Sequence, residues 1–290
     1  MEFGRVRGNI ARGWLCQFAV AGLFGQGRSN QAAQHGARYA FRGNRGGGTS
    51  MNSHQQPLII TIDGPAGTGK SSVAHMLALR LGLEFLDTGA MYRAAAFLAI
   101  ENSIPIDDGE SIAAALASTT LVFDWKSSPP KLLLNGRDVT PFIRSAEVTE
   151  AVSPVSACSD VRREMVRRQR EIANAHPRLV TEGRDQGSVV FPDAPLRIYL
   201  EADARVRAQR RVAQLRASGH VADEASILRA IQHRDHVDST RAVGPLRIPV
   251  GADRVDTSHL DLEAVVSTLE HLARERLGSL LPNTTAAVRH

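Results

Sequence analysis

Lysine is nearly missing from this chain: Lys70, Lys126 and Lys131 are the only three in 290 residues. Almost every cationic side chain is therefore Arg, whose planar fork suits bidentate contact with phosphate oxygens, and Lys70 stands out against that background. Cysteine is scarcer still. Cys16 and Cys158 are the only two, too few for a disulfide framework, so a reducing, cytoplasmic location is expected. No run approaches the ~18 to 20 apolar residues of a membrane span, so no membrane partner is expected. The ten His are scattered without metal-ligand spacing, which argues against zinc.

What is present is a chain with 43% apolar residues, enough to bury a core. Its net charge of +5 is unevenly spread: residues 1–50 carry seven Arg against the single acid Glu2, a balance of +6, which leaves −1 for residues 51–290. The basic character therefore says little about partners of the remainder, and no nucleic-acid partner is expected. Residues 1–50 are rich in Gly, Arg, Gln and Asn, end in Gly46-Gly47-Gly48-Thr49-Ser50 and show no sustained helical or strand period, the signature of a disordered extension. Met51, just ahead of the first apolar run, offers a misassigned start as the alternative. After Arg5, Arg7 and Arg12, the stretch Trp14 to Phe24 resembles the apolar region of a signal peptide, but Gln17 interrupts it, and export is not the favoured reading.

From Pro57 the pattern alternates strand and helix. Leu58 to Ile62, Glu84 to Leu86, Leu179 to Thr181 and Leu196 to Leu200 read as short buried strands; Ser71 to Leu81, Ala90 to Ile100, Val206 to Arg216, Ser226 to His236 and Leu262 to Leu277 read as helices. That alternation predicts an α/β fold, a parallel sheet covered by helices on both faces. One stretch departs from it. Leu121 to Trp125 and Leu132 to Leu134, separated by Ser127-Ser128-Pro129-Pro130 and followed by Asn135-Gly136, predict a small antiparallel hairpin insert.

Between the first strand and the first helix, Gly64-Pro65-Ala66-Gly67-Thr68-Gly69-Lys70-Ser71 fits the phosphate-loop pattern at every fixed position. The glycines let backbone N–H groups turn inward, the helix presents its positive N-terminus, and Lys70 reaches the β- and γ-phosphates. Ser71 supplies a hydroxyl to Mg²⁺, and Ser72 adjoins it. ATP with Mg²⁺ is the expected cofactor pair. An Asn-Lys-x-Asp that would read guanine is excluded by the positions of the three lysines, which disfavours a GTPase switch.

Further signatures follow in order: Asp87-Thr88-Gly89-Ala90-Met91-Tyr92-Arg93 at the start of the second helix, Glu182-Gly183-Arg184-Asp185-Gln186-Gly187 at the end of a buried strand, Val190-Phe191-Pro192-Asp193-Ala194, and Arg234, Asp238 and Arg241 to Leu246 beyond an Arg-rich helix. Together they closely resemble the bacterial cytidylate kinase family from about Pro57 to Leu277. The resemblance implies a P-loop nucleoside monophosphate kinase fold in residues 51–290, with an NMP-binding insert at about 88–176 and a short lid at about 207–219. It implies transfer of the γ-phosphoryl group of ATP to CMP or dCMP by a monomer. It places the acceptor site on Thr88, Arg93, Ser153, Arg162, Arg184, Asp185, Arg234, Asp238 and Arg241: Thr88, Arg162 and Asp185 toward the cytosine, Ser153, Arg234 and Asp238 toward the ribose, and Arg93, Arg184 and Arg241 toward phosphate. A carboxylate at 185 suits the exocyclic amino group that separates cytosine from uracil. Glu182, where Asp is expected, and Gln186, where an apolar residue is expected, depart from the pattern.

The chemistry points the same way. An acceptor that is itself a phosphate needs no strong general base, so charge neutralisation and alignment dominate, and Arg and Lys are the working residues. Lys70 and Arg184, with Arg207, Arg210 and Arg211 on the lid, are the candidates, the catalytic set being Lys70, Arg184, Arg207 and Arg211. Asp63 either positions Mg²⁺ waters or simply caps the turn. Plainer readings exist: Arg162, Arg163, Arg167, Arg168 and Arg170 form a solvated helix face with Glu164 and Glu171, Asp185 is an ordinary ion-pair partner of Arg184, and Cys158 is a small buried side chain. Two other functions compete. A P-loop kinase for another monophosphate or for an alcohol such as shikimate is one, though an alcohol would need a proton-accepting carboxylate and fewer Arg. The second is a nucleotide-dependent RNA-binding protein using residues 1–50 as a basic arm.

Overall fold

A computed structural model describes residues 56–281; the expected extension at 1–50, with Cys16, and the alternative start at Met51 lie outside the described residues. The chain begins with β1 (Leu58–Asp63), α1 (Lys70–Leu81), β2 (Glu84–Asp87) and α2 (Thr88–Glu101). It then leaves the sheet through α3 (Gly109–Ala117), the short strands β3 (Leu121–Asp124), β4 (Lys131–Leu134) and β5 (Arg137–Asp138), and the helices α4 (Ala146–Ala157) and α5 (Ser159–Ala175). It returns as β6 (Arg178–Gly183), makes one π-helical turn at Gln186–Val190, and continues through β7 (Leu196–Glu201), α6 (Ala204–Ala217), α7 (Glu224–Thr240), β8 (Asp253–Asp256) and α8 (Leu262–Leu277).

The main sheet has the order β2-β6-β1-β7-β8 and every pairing in it is parallel. Successive side chains of a strand point to opposite faces, and both faces are covered here. On β6, Val180 packs with Leu58, Ile60 and Ile62 against α1 and α8, while Leu179 packs with Leu86 against α2 and α5. The same alternation carries on into polar chemistry. Glu182, in phase with Val180, meets α1 at Ser71; Thr181, in phase with Leu179, faces Gln186. Strand β6 thus divides the two sides of the site before any ligand is considered.

Three features that the sequence reading did not give have physical causes. The expected two-stranded hairpin is a three-stranded antiparallel sheet, because the chain turns again at Asn135-Gly136 and Arg137–Asp138 pairs with Leu133–Leu134. The edge strand β8, Asp-Arg-Val-Asp, has no apolar pattern to announce it. Pro154 sits inside α4, where it ordinarily signals a break; most of the helix lies ahead of it. The helix expected at Val206 to Arg216 forms as α6, which packs along α7 and covers most of the segment 207–219.

Candidate active site

Loops from the carboxyl ends of β1, β2 and β6 open into one cavity of about 510 Å³, the position where open parallel sheets bind ligands. The loop after β1 lines one end with Gly67, Gly69, Lys70, Ser71 and Ser72; Ala66 joins them, whereas Gly64, Pro65 and Thr68 are buried beneath. Helix α1 starts at Lys70 behind a left-handed Gly69 and has no side-chain cap, so its first N–H groups are left for another acceptor. Lys70 is buried and folds back, its Nζ donating to the Pro65 carbonyl at 2.7 Å and to Thr68 Oγ1 at 3.4 Å. Burial, and then the nearby Arg184 guanidinium, push the Lys70 ammonium down to about 7.

Beside it, Ser71 donates to Glu182 Oε1 at 2.8 Å. Asp87, which caps α2 by accepting from the Ala90 N–H at 2.8 Å, lies close to Glu182; burial and then that neighbouring carboxylate raise it to about 7. Asp63 does something else. Its two carboxylate oxygens accept the Gln186 and Gly187 N–H groups at 2.8 and 2.7 Å, so it ties the π-helical turn to β1 and faces away from Ser71. Burial raises its carboxyl to about 7 despite those two bonds. The carboxylate next to the Mg²⁺-type hydroxyl is therefore Glu182, one of the two residues at which the sequence departs from the family pattern.

At the opposite end the cavity is lined by Thr88, Tyr92, Arg93, Arg162, Asp185 and Arg241. Asp185 pairs with Arg162, not with its neighbour Arg184, and both partners are almost wholly buried. Such a pair is costly to break, because removing one member leaves a buried charge uncompensated. Gly244, at φ 58, lies against it: a Cβ there would run into Asp185 and Arg162. Arg184 instead donates to Asp238 at 2.9 Å, and Arg241 reaches Asp238 at 3.4 Å and the Gly244 carbonyl at 2.6 Å. Burial alone would raise the Asp238 carboxyl; Arg184, Arg241 and Arg234 together hold it below its usual value. Thr88 Oγ1 donates to the Glu182 carbonyl at 2.6 Å.

Besides Arg210, whose guanidinium holds backbone carbonyls, three cavity arginines meet no carboxylate within ion-pairing distance among the described residues. Arg93 donates to the Ile143 carbonyl and Thr149 Oγ1, Arg211 touches only Gln214, and Arg234 has no acceptor at all. Burial, then the adjacent Arg184, lower the Arg234 guanidinium to about 10.

Arg207, Arg210 and Arg211 all line the cavity, and two of them are already held by the protein. Arg207 is buried at the start of α6, where its guanidinium donates to the Ala202 and Ala66 carbonyls and pairs with Asp235 at 2.7 Å. Arg210 holds the Thr257 and Leu260 carbonyls. Both are fastened to the core, and of the three lid arginines Arg211 is the one left exposed. Ser153 does not line the cavity. On α4 it is Thr149, Val152 and Ser156, three and four residues apart on one face, that do. Of the α5 arginines read plainly as a solvated face, Arg167 does meet Glu164 and Glu171, but Arg162 and Arg168 are buried, Arg168 donating to the Leu116 and Thr119 carbonyls. Cys158 is half-buried and joins α4 to α5. Tyr92 and Arg144 line the cavity without having been singled out in the sequence; a Tyr next to Arg93 in the same signature was the signal for the first, and nothing in the sequence pattern marked the second.

No helix among the described residues is long and apolar enough to cross a membrane. The cytidylate kinase family model matches residues 60–275. Among similar proteins, the cytidylate kinase of Rhodococcus jostii (strain RHA1) is 47% identical over 210 residues, covering 72% of this chain and 92% of its own. The cytidylate kinase of Geobacillus sp. (strain WCH70) is 41% identical over 209 residues, 72% of this chain and 93% of that one. Among solved structures, a gluconokinase from Sinorhizobium meliloti 1021 superposes with a TM-score of 0.39 at 18% identity over 76% of this chain and 94% of that one, too loose a likeness to argue from. A match of that length, to relatives nearly all of whose sequence this chain spans, places the chain in the cytidylate kinase family.

Proposed function

We propose that the loop end of the cavity takes ATP and the far end takes CMP or dCMP, with the γ-phosphoryl group passing between them to give ADP and the nucleoside diphosphate. The observation that carries this division is the trio of unpaired arginines, Arg93, Arg211 and Arg234, set between the phosphate loop and the Arg162–Asp185 pair. Cations held close together without a carboxylate in ion-pair contact call for an anionic ligand, and two phosphate chains meeting end to end supply it. Arg184, next to Lys70, adds to the charge that faces the transferring group. An acceptor phosphate oxygen attacks the γ-phosphorus and ADP leaves, so alignment and charge neutralisation are the work the protein does.

At the loop end, Lys70 exchanges the Pro65 carbonyl for phosphate oxygens, and Gly67, Gly69, Ser71 and Ser72 offer N–H groups and hydroxyls. The oxygen-only set of Ser71, Glu182 and Asp87, with two carboxyls side by side, fits a hard divalent cation such as Mg²⁺. Bound there, Mg²⁺ neutralises phosphate charge. At the far end, the Asp185 carboxylate, held by Arg162, accepts from the cytosine amino group. Arg211 on α6 closes over the phosphates and helps to exclude water, in an enzyme we place in the cytoplasm, where ATP is available. We take the working unit to be a monomer. A coupled assay of ADP release across CMP, dCMP, UMP, AMP, GMP and shikimate tests the reading: turnover with CMP and dCMP is expected, and equal or greater turnover with shikimate or a purine nucleotide overturns it.

A further inference from the structure

Gln186 stands where an apolar residue was expected, and it is fully buried. Its carboxamide is fully used: Oε1 accepts from Thr181 Oγ1 at 3.0 Å and Nε2 donates to Gln169 Oε1 at 3.0 Å. Gln169 is also fully buried and belongs to α5, on the other side of the interface. Position 169 is seven residues beyond Arg162, two helical turns, so both side chains leave α5 on the same face. They grip consecutive residues of the core, Arg162 taking Asp185 and Gln169 taking Gln186.

The surroundings tie this amide pair to the acceptor end. A Cβ at Gly183 would lie 2.9 Å from Gln186 Nε2 and 2.9 Å from Thr88 Oγ1, so the Gln186 amide and Thr88 both close on the same glycine. The buried Tyr92 hydroxyl lies beside the Gln169 side chain, and Tyr92 lines the cavity under the Arg162 guanidinium, 5.4 Å from ring centre to Cζ. A buried amide–amide bond is directional in a way that an apolar contact is not. It fixes the rotation of α5 about its own axis, and with it the angle at which Arg162 meets Asp185.

We infer that Gln186 and Gln169 are positioning residues for acceptor recognition: their bond sets the rotation of α5 so that the Arg162–Asp185 pair presents its free carboxylate oxygen to the acceptor base. This rests on the acceptor base lying against Asp185. Neither side chain reaches the phosphate loop, so the donor end is expected to be indifferent to them.

The test is steady-state kinetics of the full chain with CMP and UMP, together with melting temperatures, for wild type, Gln186→Leu and the double variant Gln169→Leu/Gln186→Leu. Gln186→Leu is expected to raise KM for CMP about tenfold, the scale of a small misplacement at a recognition site, and to narrow the CMP-to-UMP preference. KM for ATP and kcat should stay near wild type. The double variant leaves neither amide unsatisfied, though the Thr181 hydroxyl loses its acceptor, so its melting temperature should recover part of the way toward wild type while KM for CMP stays high. The double variant also keeps the question answerable where the single one does not fold. Wild-type KM for CMP in either folded variant, or a parallel rise of KM for ATP and CMP, would overturn the inference. A wild-type enzyme that does not prefer CMP to UMP would instead overturn the placement of the base, and the inference with it.

Discussion

Arg207 meets Asp235 at 2.7 Å and, through another nitrogen, holds the Ala66 carbonyl at 2.8 Å, so one buried guanidinium fastens α6 to both α7 and the phosphate loop. Arg211, one turn further along the same helix, is exposed and touches only Gln214. The two arginines should separate by experiment. Arg207→Ala strands Asp235 and is expected to lower the melting temperature and raise KM for ATP. Arg211→Ala should leave the melting temperature unchanged and lower kcat, by about 10² if it donates to the transferring group only in the transition state. Equal effects of the two on melting temperature would remove the distinction.

Lys70 is the sole lysine of the site. Lys70→Ala should reduce kcat by roughly 10² to 10³ or more, the scale of losing a donor that acts in the transition state, in a coupled assay at saturating substrates. Turnover equal to wild type would mean that the loop holds a nucleotide without taking part in transfer.

The depressed ammonium also has a pH consequence. Lys70 in the free protein titrates at about 7, through burial and Arg184, and polyphosphate anions at 3 Å would raise it again. Above pH 7 the free protein has lost this proton and ATP binding must recover it; below pH 7 the proton is already in place. Calorimetry of ATP binding at pH 8, in two buffers of different ionisation enthalpy, should therefore show uptake of about one proton, shrinking toward zero at pH 6 and vanishing in Lys70→Met. Binding heats that do not depend on buffer at pH 8 would contradict the shift.

Asp185 carries the base preference. Asp185→Ala should lower kcat/KM for CMP by about 1 to 3 kcal/mol and leave the poor activity with UMP much less changed. The same substitution leaves Arg162 buried without a partner, so a stability loss of about 3 to 5 kcal/mol is expected by chemical denaturation. The ratio of the two substrates is what separates recognition from general damage. Equal losses for CMP and UMP would make Asp185 a structural partner of Arg162 and no more.

Glu182→Gln keeps the shape beside Ser71 and removes a charge. The concentration of Mg²⁺ giving half-maximal velocity should rise several-fold, with KM for CMP unaltered, since Glu182 meets the acceptor only through its backbone carbonyl. An unchanged Mg²⁺ requirement would assign the ion to other oxygens.

The parts of the molecule that could be read from the sequence are those fixed by local chemistry. The phosphate loop is specified residue by residue by backbone turning and helix start, and the strands at Leu58, Glu84, Leu179 and Leu196 announce themselves by apolar runs. What escaped is set by contacts between distant segments. Nothing near Asp185 in sequence says that it turns to Arg162, 23 positions back, while Arg184 beside it turns to Asp238. The fastening of Arg207 and Arg210 to carbonyls of remote loops is equally invisible to periodicity, and an Arg-rich helix looks uniformly free until its partners are placed. Ser153 failed for a simpler reason: one residue along a helix is a 100° rotation, enough to carry a side chain out of a cavity that its neighbours line.

The alternation along β6 bears on how the enzyme can change over generations. Single substitutions can retune one ligand at a time, because Glu182 serves the side of Ser71 and Thr181 the side of Gln186. A one-residue insertion or deletion within Leu179 to Glu182 has no such freedom. It would turn the strand over by a half-step, send each of these side chains to the wrong face, and uncouple donor and acceptor chemistry in the same event. Length variation should therefore accumulate in the turns around Ser127 and Ser218, where neither side of the sheet keeps count.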